Sequence, residues 1–284
     1  MTIRIERMTI IGVGLLGASL GLALKKRGMA RCITGVGRNQ ASLDVALEQG
    51  AIDNAVLDAH DGVVNAEVVA IATPATQVVP MLDATLAAAP DAVVFDVASV
   101  KRNICAHARA QCPEPRRFVG CHPMAGGEQF GPSHGAPDFF EGAVCLVEQD
   151  ETIDAAARDT VCALWQTVGA RVAAIDADVH DAVLAHTSHL PHLAAAILAR
   201  LAADCGAAAD YVGNAFRDVT RIAASRPELW RDICLENREA LAPALNGCRQ
   251  YLTTVQELLE AGDADGLQAF FEAGARARQG ILES

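Results

Sequence analysis

Residues 8–24 read MTIIGVGLLGASLGLAL, and this stretch decides the first half of the fold. Its apolar start predicts a strand at Met8–Val13, and the residues that follow predict a helix at Leu15–Arg27. Three glycines around the junction of strand and helix have the spacing G-x-G-x-x-G: Gly12, Gly14 and Gly17. A strand, a glycine turn and a helix in this order predict a dinucleotide-binding unit.

Each residue of the glycine turn has an expected role. Gly12 permits the tight turn, Gly14 lets the backbone approach a pyrophosphate, and Gly17 lets helix and strand pack closely. Leu15 and Leu16 open the helix, whose N-terminus favours phosphate. The alternative is a glycine-rich turn without a ligand. The preceding strand, the following helix and a second strand at the right distance favour cofactor binding.

The rest of the first half alternates predicted strands and helices. The strands are Cys32–Val36, Val68–Ala72, Ala92–Val97, Phe118–Cys121, Ala143–Val147 and Arg171–Ala174. The helices are Gln40–Gln49, Gln77–Ala88, one from about Val100, and Ile153–Val168. This alternation predicts an α/β fold, a Rossmann-type, mostly parallel sheet covered by helices on both faces.

After Asp176 the pattern becomes entirely helical. Helices are predicted at about 179–203 with a bend at Pro191, at 207–225, after Pro227 toward Ala261 with a possible break at Pro243, and at 264–282. We therefore expect a dinucleotide-binding domain at 1–176 and a helical substrate and dimerisation domain at 177–284. By analogy with other two-domain proteins of this kind, a homodimer through the helical domain is expected.

Composition excludes several classes of function. The formal net charge of −12 repels nucleic acid and anionic membranes, and only 4% of the residues are aromatic. No run reaches the roughly 18 consecutive apolar residues of a membrane helix. Nine cysteines without a C-x-x-C pair predict reduced thiols rather than disulfides or zinc. We expect a soluble cytoplasmic protein without a metal.

The end of the second predicted strand bears on the choice of cofactor. An acid about 20 positions after the glycine turn would bond the ribose 2′-hydroxyl of NAD, but Gly37 and Arg38 stand there instead. An arginine can bind a 2′-phosphate, so NADP is preferred and NAD remains possible. The alternative is a solvated surface arginine. Thr73, which closes the strand Val68–Ala72, is a further candidate cofactor contact.

Two candidate catalytic residues follow predicted strands of the same domain. Ser99 comes after the strand Ala92–Val97 and is expected to cap the next helix, to face the cofactor, or both, since the two roles are compatible. His122 directly follows Phe118–Cys121, and an imidazole there suits the removal of a hydroxyl proton during hydride transfer.

Histidines and arginines of the helical half supply further candidates. His186, His189 and His192 recur every third residue, which does not bring three ligands together around a metal. Arg217 and Arg221 lie one turn apart on a helix predicted to be largely buried. Such an arginine suits capture of a carboxylate, the alternative being a solvated face.

Together these stretches resemble the prephenate/arogenate dehydrogenase family of tyrosine biosynthesis. The resemblance covers essentially the whole chain. Besides the glycine turn it rests on four motifs: DVASVK at 96–101, HPMAGGE at 122–128, SHLPH at 188–192 and FRDVTRIAASRPELWRDI at 216–233.

The resemblance implies an oxidative decarboxylation in which hydride leaves the ring carbon that bears a hydroxyl and the ring carboxylate departs as CO₂. It implies that His122 receives the hydroxyl proton and that Ser99 contacts the hydroxyl or the histidine and the nicotinamide. Arg221 would bind a substrate carboxylate. The same pocket would be lined by His189, His192 and Trp230.

Several alternatives stay open at this point. The substrate is prephenate or arogenate, and a carboxylate that would favour the amine of arogenate could come from Glu128 or Asp218. A monofunctional enzyme is expected, because neither a mutase segment nor a regulatory domain is recognised. The competing functions are a β-hydroxyacid or imine dehydrogenase and a non-catalytic NADP sensor, which turnover of prephenate or arogenate would exclude.

Overall fold

The computed structural model describes residues 4–113, 115–127, 129–206 and 209–283, and the chain divides into two compact units, Met1–Asn237 and Arg238–Ser284. The described strands are β1 (Ile5–Ile11), β2 (Ala30–Val36), β3 (Asn54–Val56), β4 (Val68–Ile71), β5 (Val93–Asp96), β6 (Phe118–Val119), β7 (Cys121–Pro123), β8 (Val144–Glu148) and β9 (Arg171–Ile175). The described α-helices are α1 (Leu15–Lys26), α2 (Gln40–Glu48), α3 (Ala59–Val63), α4 (Ala75–Ala88), α5 (Arg102–Gln111), α6 (Ala155–Thr167), α7 (Ala177–Leu184), α8 (Leu190–Asp204), α9 (Asn214–Thr220), α10 (Pro227–Glu236), α11 (Arg238–Ala261) and α12 (Ala264–Glu283).

The main sheet has the strand order β3-β2-β1-β4-β5-β6, and every pair in it is parallel. The chain leaves β1 toward β2 on one side and later returns to β4 on the other side. Ligands of open α/β sheets bind in the crevice at such a reversal, outside the carboxyl ends of the strands. The glycine turn follows β1 and therefore lies at this crevice.

A second, smaller sheet has the order β7-β8-β9, with β7 antiparallel to β8 and β8 parallel to β9. The prediction of one strand at Phe118–Cys121 is wrong, because the chain passes from the main sheet to the second sheet at Gly120 and forms two strands, β6 and β7. A Cβ atom at Gly120 would lie 2.7 Å from Sγ of Cys105, so only glycine fits there. In consequence His122 lies inside β7 rather than after a strand.

Short elements account for the other differences in this part of the chain. Neither β3 nor α3 is predicted from the sequence, since β3 has three residues and α3 has five. The expected role of Ser99 as a helix cap is wrong. Helix α5 begins at Arg102, three residues later. Its N-cap residue is Lys101, whose side chain makes no capping hydrogen bond.

The helical region after β9 is more broken than predicted. A π-helical turn at Ala185–His189 separates α7 from α8, so the interruption comes just before Pro191, which lies in the first turn of α8. Proline cannot donate a backbone hydrogen bond and crowds the preceding turn. The helix predicted at 207–225 is wrong: the described part holds 3₁₀ turns at Ala209–Tyr211 and Arg221–Ala224 on either side of α9.

Strands end at Ile175 and helices begin at Ala177, where the sequence predicts a domain boundary. The first compact unit nevertheless extends to Asn237, because α7 packs against α5 and α10 packs against α4. The division into domains at residue 176 stays a prediction.

The second compact unit consists of α11 and α12, which contact each other. Tyr251 of α11 meets Phe270 of α12 edge to face, with ring centroids 6.1 Å apart. Pro243 does not break α11, which continues through it, so the predicted break there is wrong.

One helical run, Ala177–Asp204, is long and apolar enough to cross a membrane by length and composition alone. Such a run is weak evidence, since core helices of globular proteins share these properties. This run also contains the π-helical turn and buries three polar side chains, His180, Asp181 and His189. The exclusion of a membrane stays a prediction.

Candidate active site

The glycine turn forms a cradle at the carboxyl end of β1. Gly12 has a φ of +95°, and a Cβ atom there would lie 2.6 Å from the carbonyl oxygen of Ala72. At Gly17 a Cβ atom would collide with the carbonyl oxygen of Gly12. A Cβ atom at Gly14 would meet nothing within 4 Å. Two of the glycines thus permit close packing, and the third faces open space beside the first turn of α1.

A dinucleotide fits this cradle. The open space at Gly14 adjoins backbone N–H groups at the start of α1, which suit a pyrophosphate. The hydroxyl of Thr73, which follows β4, is buried and has no hydrogen-bond partner within the described residues. A buried hydroxyl without a partner is costly, and a ligand atom in the crevice would satisfy it. Arg38, two residues after the end of β2, is exposed.

A chain of three polar side chains lies beside the crevice. Nδ1 of His122 is 2.9 Å from Nε2 of His180, and Nδ1 of His180 is 2.8 Å from Oδ1 of Asp181. The Asp181 carboxylate also accepts hydrogen bonds from the backbone N–H groups of Lys101 and Arg102, at 2.8 and 3.0 Å. All three side chains are buried. We call His122, His180 and Asp181 the relay.

The relay determines which ring nitrogen of each histidine carries the proton. An ionised carboxylate only accepts, so Nδ1 of His180 must donate to Asp181. Nε2 of the neutral His180 ring is then an acceptor, and Nδ1 of His122 donates to it. The remaining nitrogen of His122, Nε2, keeps its lone pair. The relay therefore presents His122 as a base.

Burial sets the ionisation of the relay. Desolvation lowers the pKa of His122 well below its usual range, and nearby His180 and Lys101 lower it further. Desolvation also lowers the pKa of His180, although the Asp181 carboxylate opposes the shift. For Asp181, burial favours the neutral acid, but hydrogen bonds from His180 and two backbone N–H groups outweigh it and lower the pKa. The relay is thus a neutral pair of imidazoles held by a carboxylate.

A buried ion pair anchors the strand ends that carry Ser99 and His122. The Asp96 carboxylate accepts from Nζ of Lys101 at 2.5 Å and from the backbone N–H groups of Ala98 and Cys121, at 2.9 and 3.1 Å. Asp96 and Lys101 are almost fully buried. Because Ala98 precedes Ser99 and Cys121 precedes His122, one carboxylate fixes the spacing of both.

The remaining predicted pocket residues continue from the relay along α8 and α10. His189 is buried, and its ring centroid is 6.1 Å from that of Trp230. It lies close enough to His122 to lower the pKa of that histidine, and the backbone of Ser99 raises the pKa of His189 itself. His192 stacks on Trp230 with ring centroids 3.5 Å apart. Desolvation lowers the pKa of His192, and nearby Arg221 adds to that effect.

The structure thus brings together most of the residues that the sequence singles out. His122, His189, Ser99, His192, Trp230 and Arg221 form one continuous set. The expectation that Arg221 lies on a largely buried helix is wrong, since α9 contains no buried residue and Arg221 is exposed. Asp218 is exposed, and Glu128 lies outside the described residues. His186 is exposed and bonds the carbonyl oxygen of Ala182.

Sequence reasoning missed four residues that organise the site: Asp96, His180, Asp181 and Asn237. Asn237 donates from Nδ2 to the carbonyl oxygen of Asp181 and to Nδ1 of His189, at 2.8 and 2.9 Å. An available signal was the pair His180-Asp181, two adjacent polar residues in the short helix just after the last strand.

Comparison with known proteins agrees with this geometry. Residues 20–174 match the family "Prephenate dehydrogenase, nucleotide-binding domain", and residues 176–273 match "Prephenate dehydrogenase, dimerization domain". The cyclohexadienyl dehydrogenase of Zymomonas mobilis is 31% identical over 280 residues, which are 96% of this chain and 95% of that protein.

Solved structures of similar proteins give the same result. Prephenate dehydrogenase from A. aeolicus, in complex with hydroxyphenyl propionate and NAD⁺, has a TM-score of 0.89 and 27% identity, covering 98% of this chain and 99% of that one. Arogenate dehydrogenase from Synechocystis has a TM-score of 0.81 and 26% identity, covering 97% and 99%.

A cofactor cradle at the sheet's crevice and a buried histidine base define a nicotinamide-dependent dehydrogenase. The expected fold class, a Rossmann-type sheet domain followed by helices, is confirmed. The chain belongs to the prephenate dehydrogenase family, as the resemblance of its motifs predicts.

Proposed function

We propose that this protein catalyses the oxidative decarboxylation of prephenate, arogenate or both, with hydride transfer to NAD(P), as a step of tyrosine biosynthesis. The observation that carries the proposal is the relay, which leaves a lone pair on Nε2 of His122 beside the cofactor crevice. Relatives named prephenate, cyclohexadienyl and arogenate dehydrogenases support the substrate class.

In the proposed reaction His122 takes the proton of the ring hydroxyl through Nε2 as the carbon–hydrogen bond at that carbon breaks. A bound nicotinamide supplies the acceptor for the hydride. The His122 imidazolium that forms is stabilised through His180 by the Asp181 carboxylate. Loss of CO₂ makes the ring aromatic and drives the reaction, and the phenolate oxygen that results takes the proton back from His122. The protein's main tasks are therefore positioning and proton transfer.

The other end of the substrate would lie toward the helical part of the site. There the guanidinium of Arg221 would bind a carboxylate, with His192 stacked on Trp230 as a flat wall beside it. Ser99 would contact the hydroxyl or the nicotinamide from the loop that Asp96 holds.

Steady-state kinetics with prephenate and arogenate, each crossed with NAD and NADP, test the proposal. We expect substrate-dependent absorbance at 340 nm with at least one of the two acids. Tight NADPH binding without turnover of either acid would instead indicate a sensor. Turnover of a β-hydroxyacid or an imine alone would contradict the substrate class.

For the cofactor we propose a preference for NADP. Support comes from the end of β2, where Gly37 and the exposed Arg38 stand instead of the acid that bonds the 2′-hydroxyl of NAD. The A. aeolicus relative is in complex with NAD⁺, so related sites also hold the unphosphorylated cofactor.

Replacing Arg38 with aspartate is expected to lower the ratio of kcat/KM with NADP to kcat/KM with NAD by about 10- to 100-fold. Loss of a charged hydrogen bond to the phosphate is worth about 1.5–3 kcal/mol, and repulsion adds to the loss. Arg31→Asp, at the other end of β2, is the matched control and should leave the ratio unchanged. An unchanged ratio in Arg38→Asp would refute this assignment.

Replacing Arg221 with glutamine is expected to raise the KM for the cyclohexadienyl substrate by about 10- to 100-fold, with the KM for the cofactor unchanged. The reason is loss of a charged hydrogen bond to the substrate carboxylate. Arg217→Gln, on α9 one turn earlier, removes an exposed arginine without that role. Equal KM values in the two variants would show that a residue other than Arg221 binds the carboxylate.

We further propose a homodimer formed through the helical part of the chain. Residues 176–273 match a dimerization domain, and α8 has large exposed apolar side chains at Ile197, Leu198 and Leu201. Exposed apolar surface of this kind commonly marks an interface. Sedimentation velocity at micromolar concentration measures the mass, and a single-chain mass would contradict the proposal.

A further inference from the structure

His189 is a buried histidine whose hydrogen bonds are incomplete. Its side chain is 1% exposed, and Nδ1 lies 2.9 Å from Nδ2 of Asn237. Nε2 is also buried but has no hydrogen-bond partner within the described part of the chain. A buried ring nitrogen without a partner is costly unless a ligand completes it.

The orientation of the Asn237 amide follows from its second contact. Nδ2 also lies 2.8 Å from the carbonyl oxygen of Asp181, and a carbonyl oxygen only accepts. The amide nitrogen, not the amide oxygen, must therefore face both partners. Its two N–H groups go to Asp181 and to His189, so Nδ1 of His189 is an acceptor.

The proton of the His189 ring is on Nε2. Desolvation lowers the pKa of His189 to about 4, so the ring is neutral at neutral pH. A neutral ring carries one proton, and with Nδ1 accepting from Asn237 that proton is on Nε2. The Ser99 backbone raises the pKa of His189, but no hydrogen bond of ordinary geometry joins it to Nε2.

We propose that Asn237 is a positioning residue that holds His189 in the tautomer protonated on Nε2, which donates a hydrogen bond to an oxygen atom of the bound ligand. The inference rests on the proposed function for the ligand's identity. That oxygen belongs either to the carboxamide of the nicotinamide or to the substrate. The two buried histidines then have opposite polarity: His122 presents a lone pair, and His189 presents a proton.

The groups that face His189 come from three elements. Asp181 and His180 lie on α7, His192 lies on α8, and His122 lies on β7. Asp181 favours protonation of His189, whereas His180 and His192 oppose it. The test leaves all of these titratable groups as they are in the wild type, because it changes only Asn237.

Replacing Asn237 with aspartate reverses the polarity of this contact. A carboxylate accepts from Nδ1 of His189, so the neutral ring loses its proton on Nε2, and the imidazolium becomes more stable. At neutral pH we expect kcat/KM to fall about 10- to 100-fold, the range seen when the residue that orients a metal-ligating histidine is replaced. The deficit should shrink as pH falls, because the imidazolium carries a proton on both nitrogens.

Nitrogen-15 spectra of histidine-labelled protein report the tautomer without any turnover. We expect a proton on Nε2 of His189 in the wild type and on Nδ1 in Asn237→Asp, with the signal assigned through His189→Gln. Asn103→Asp is the matched control, because Asn103 also donates from Nδ2, at 3.1 Å, to Glu236, the last residue of α10. It should change neither the spectrum nor the pH profile.

Separate measurements identify the ligand oxygen. A weaker Kd for NADPH in Asn237→Asp assigns the oxygen to the cofactor, and an unchanged Kd with a changed KM or kcat assigns it to the substrate. A wild-type spectrum with the proton on Nδ1, or a deficit independent of pH, overturns the inference. If wild-type protein turns over neither acid but shows the proton on Nε2, the proposed function fails while the tautomer stands.

Discussion

The variant His122→Asn is expected to have a kcat about 10²–10⁴-fold below that of the wild type, the usual range for a general acid–base group. Asparagine can still donate to Nε2 of His180 from roughly the position of Nδ1, so the rest of the relay keeps its hydrogen bonds. It has no lone pair at the position of Nε2 that could accept a proton. The loss should therefore appear in kcat, with the Kd for NADPH unchanged.

The control for this variant is His186→Asn, which changes an exposed histidine of the same region. The pH profile gives a second check. Because burial holds the pKa of His122 well below its usual range, the base stays neutral and kcat/KM should fall only well below pH 6.5. Near wild-type turnover of His122→Asn would show that His122 is not the base.

Replacing Glu148 with alanine is expected to lower the free energy of unfolding by about 3–5 kcal/mol. Glu148 and Arg116 are both buried and form two parallel hydrogen bonds of 3.0 Å each. The same carboxylate accepts from Gly120, where the chain changes sheets, at 3.2 Å. Without Glu148 the Arg116 guanidinium remains buried without that partner, which is the main cost.

Urea denaturation monitored by tryptophan fluorescence measures the difference in unfolding free energy. Glu67→Ala is the matched control: Glu67 pairs with Arg7 across 3.0 Å, but both side chains are about half exposed. Its effect should be several times smaller, since water screens exposed pairs. If Glu148→Ala lost no more stability than Glu67→Ala, the buried pair would not be what holds β6 and β7 at their junction.

The sequence predicts the parts of this site that depend on local patterns. The glycine turn can be recognised from the spacing of three neighbouring glycines, and Gly17 packs against the carbonyl oxygen of Gly12 within the same turn. His122 could be singled out because it follows a short apolar run. His180 could not be paired with it, since the two histidines are 58 positions apart and meet only in the folded chain, where α7 packs against α5.

Other features depend on tertiary contacts that leave little trace in a single sequence. The division of the predicted strand at Gly120 follows from the approach of Cys105 and Glu148, which come from two other elements. Asn237 ends α10 and could be taken for an ordinary helix-terminal residue. Its role follows from its hydrogen bonds to His189 and to the Asp181 carbonyl, which only the fold brings next to it.

The π-helical turn at Ala185–His189 amounts to one additional residue within an otherwise regular helical run. It shifts the phase of everything that follows by about 100°, the rotation of one residue in a helix with 3.6 residues per turn. His180 and Asp181 precede this shift, and His192 follows it. A regular helix, one residue shorter, would rotate His192 away from its stacking partner Trp230 on α10. Local irregularity therefore lets one helical run carry part of the relay on one side of the turn and the stacked His192 on the other.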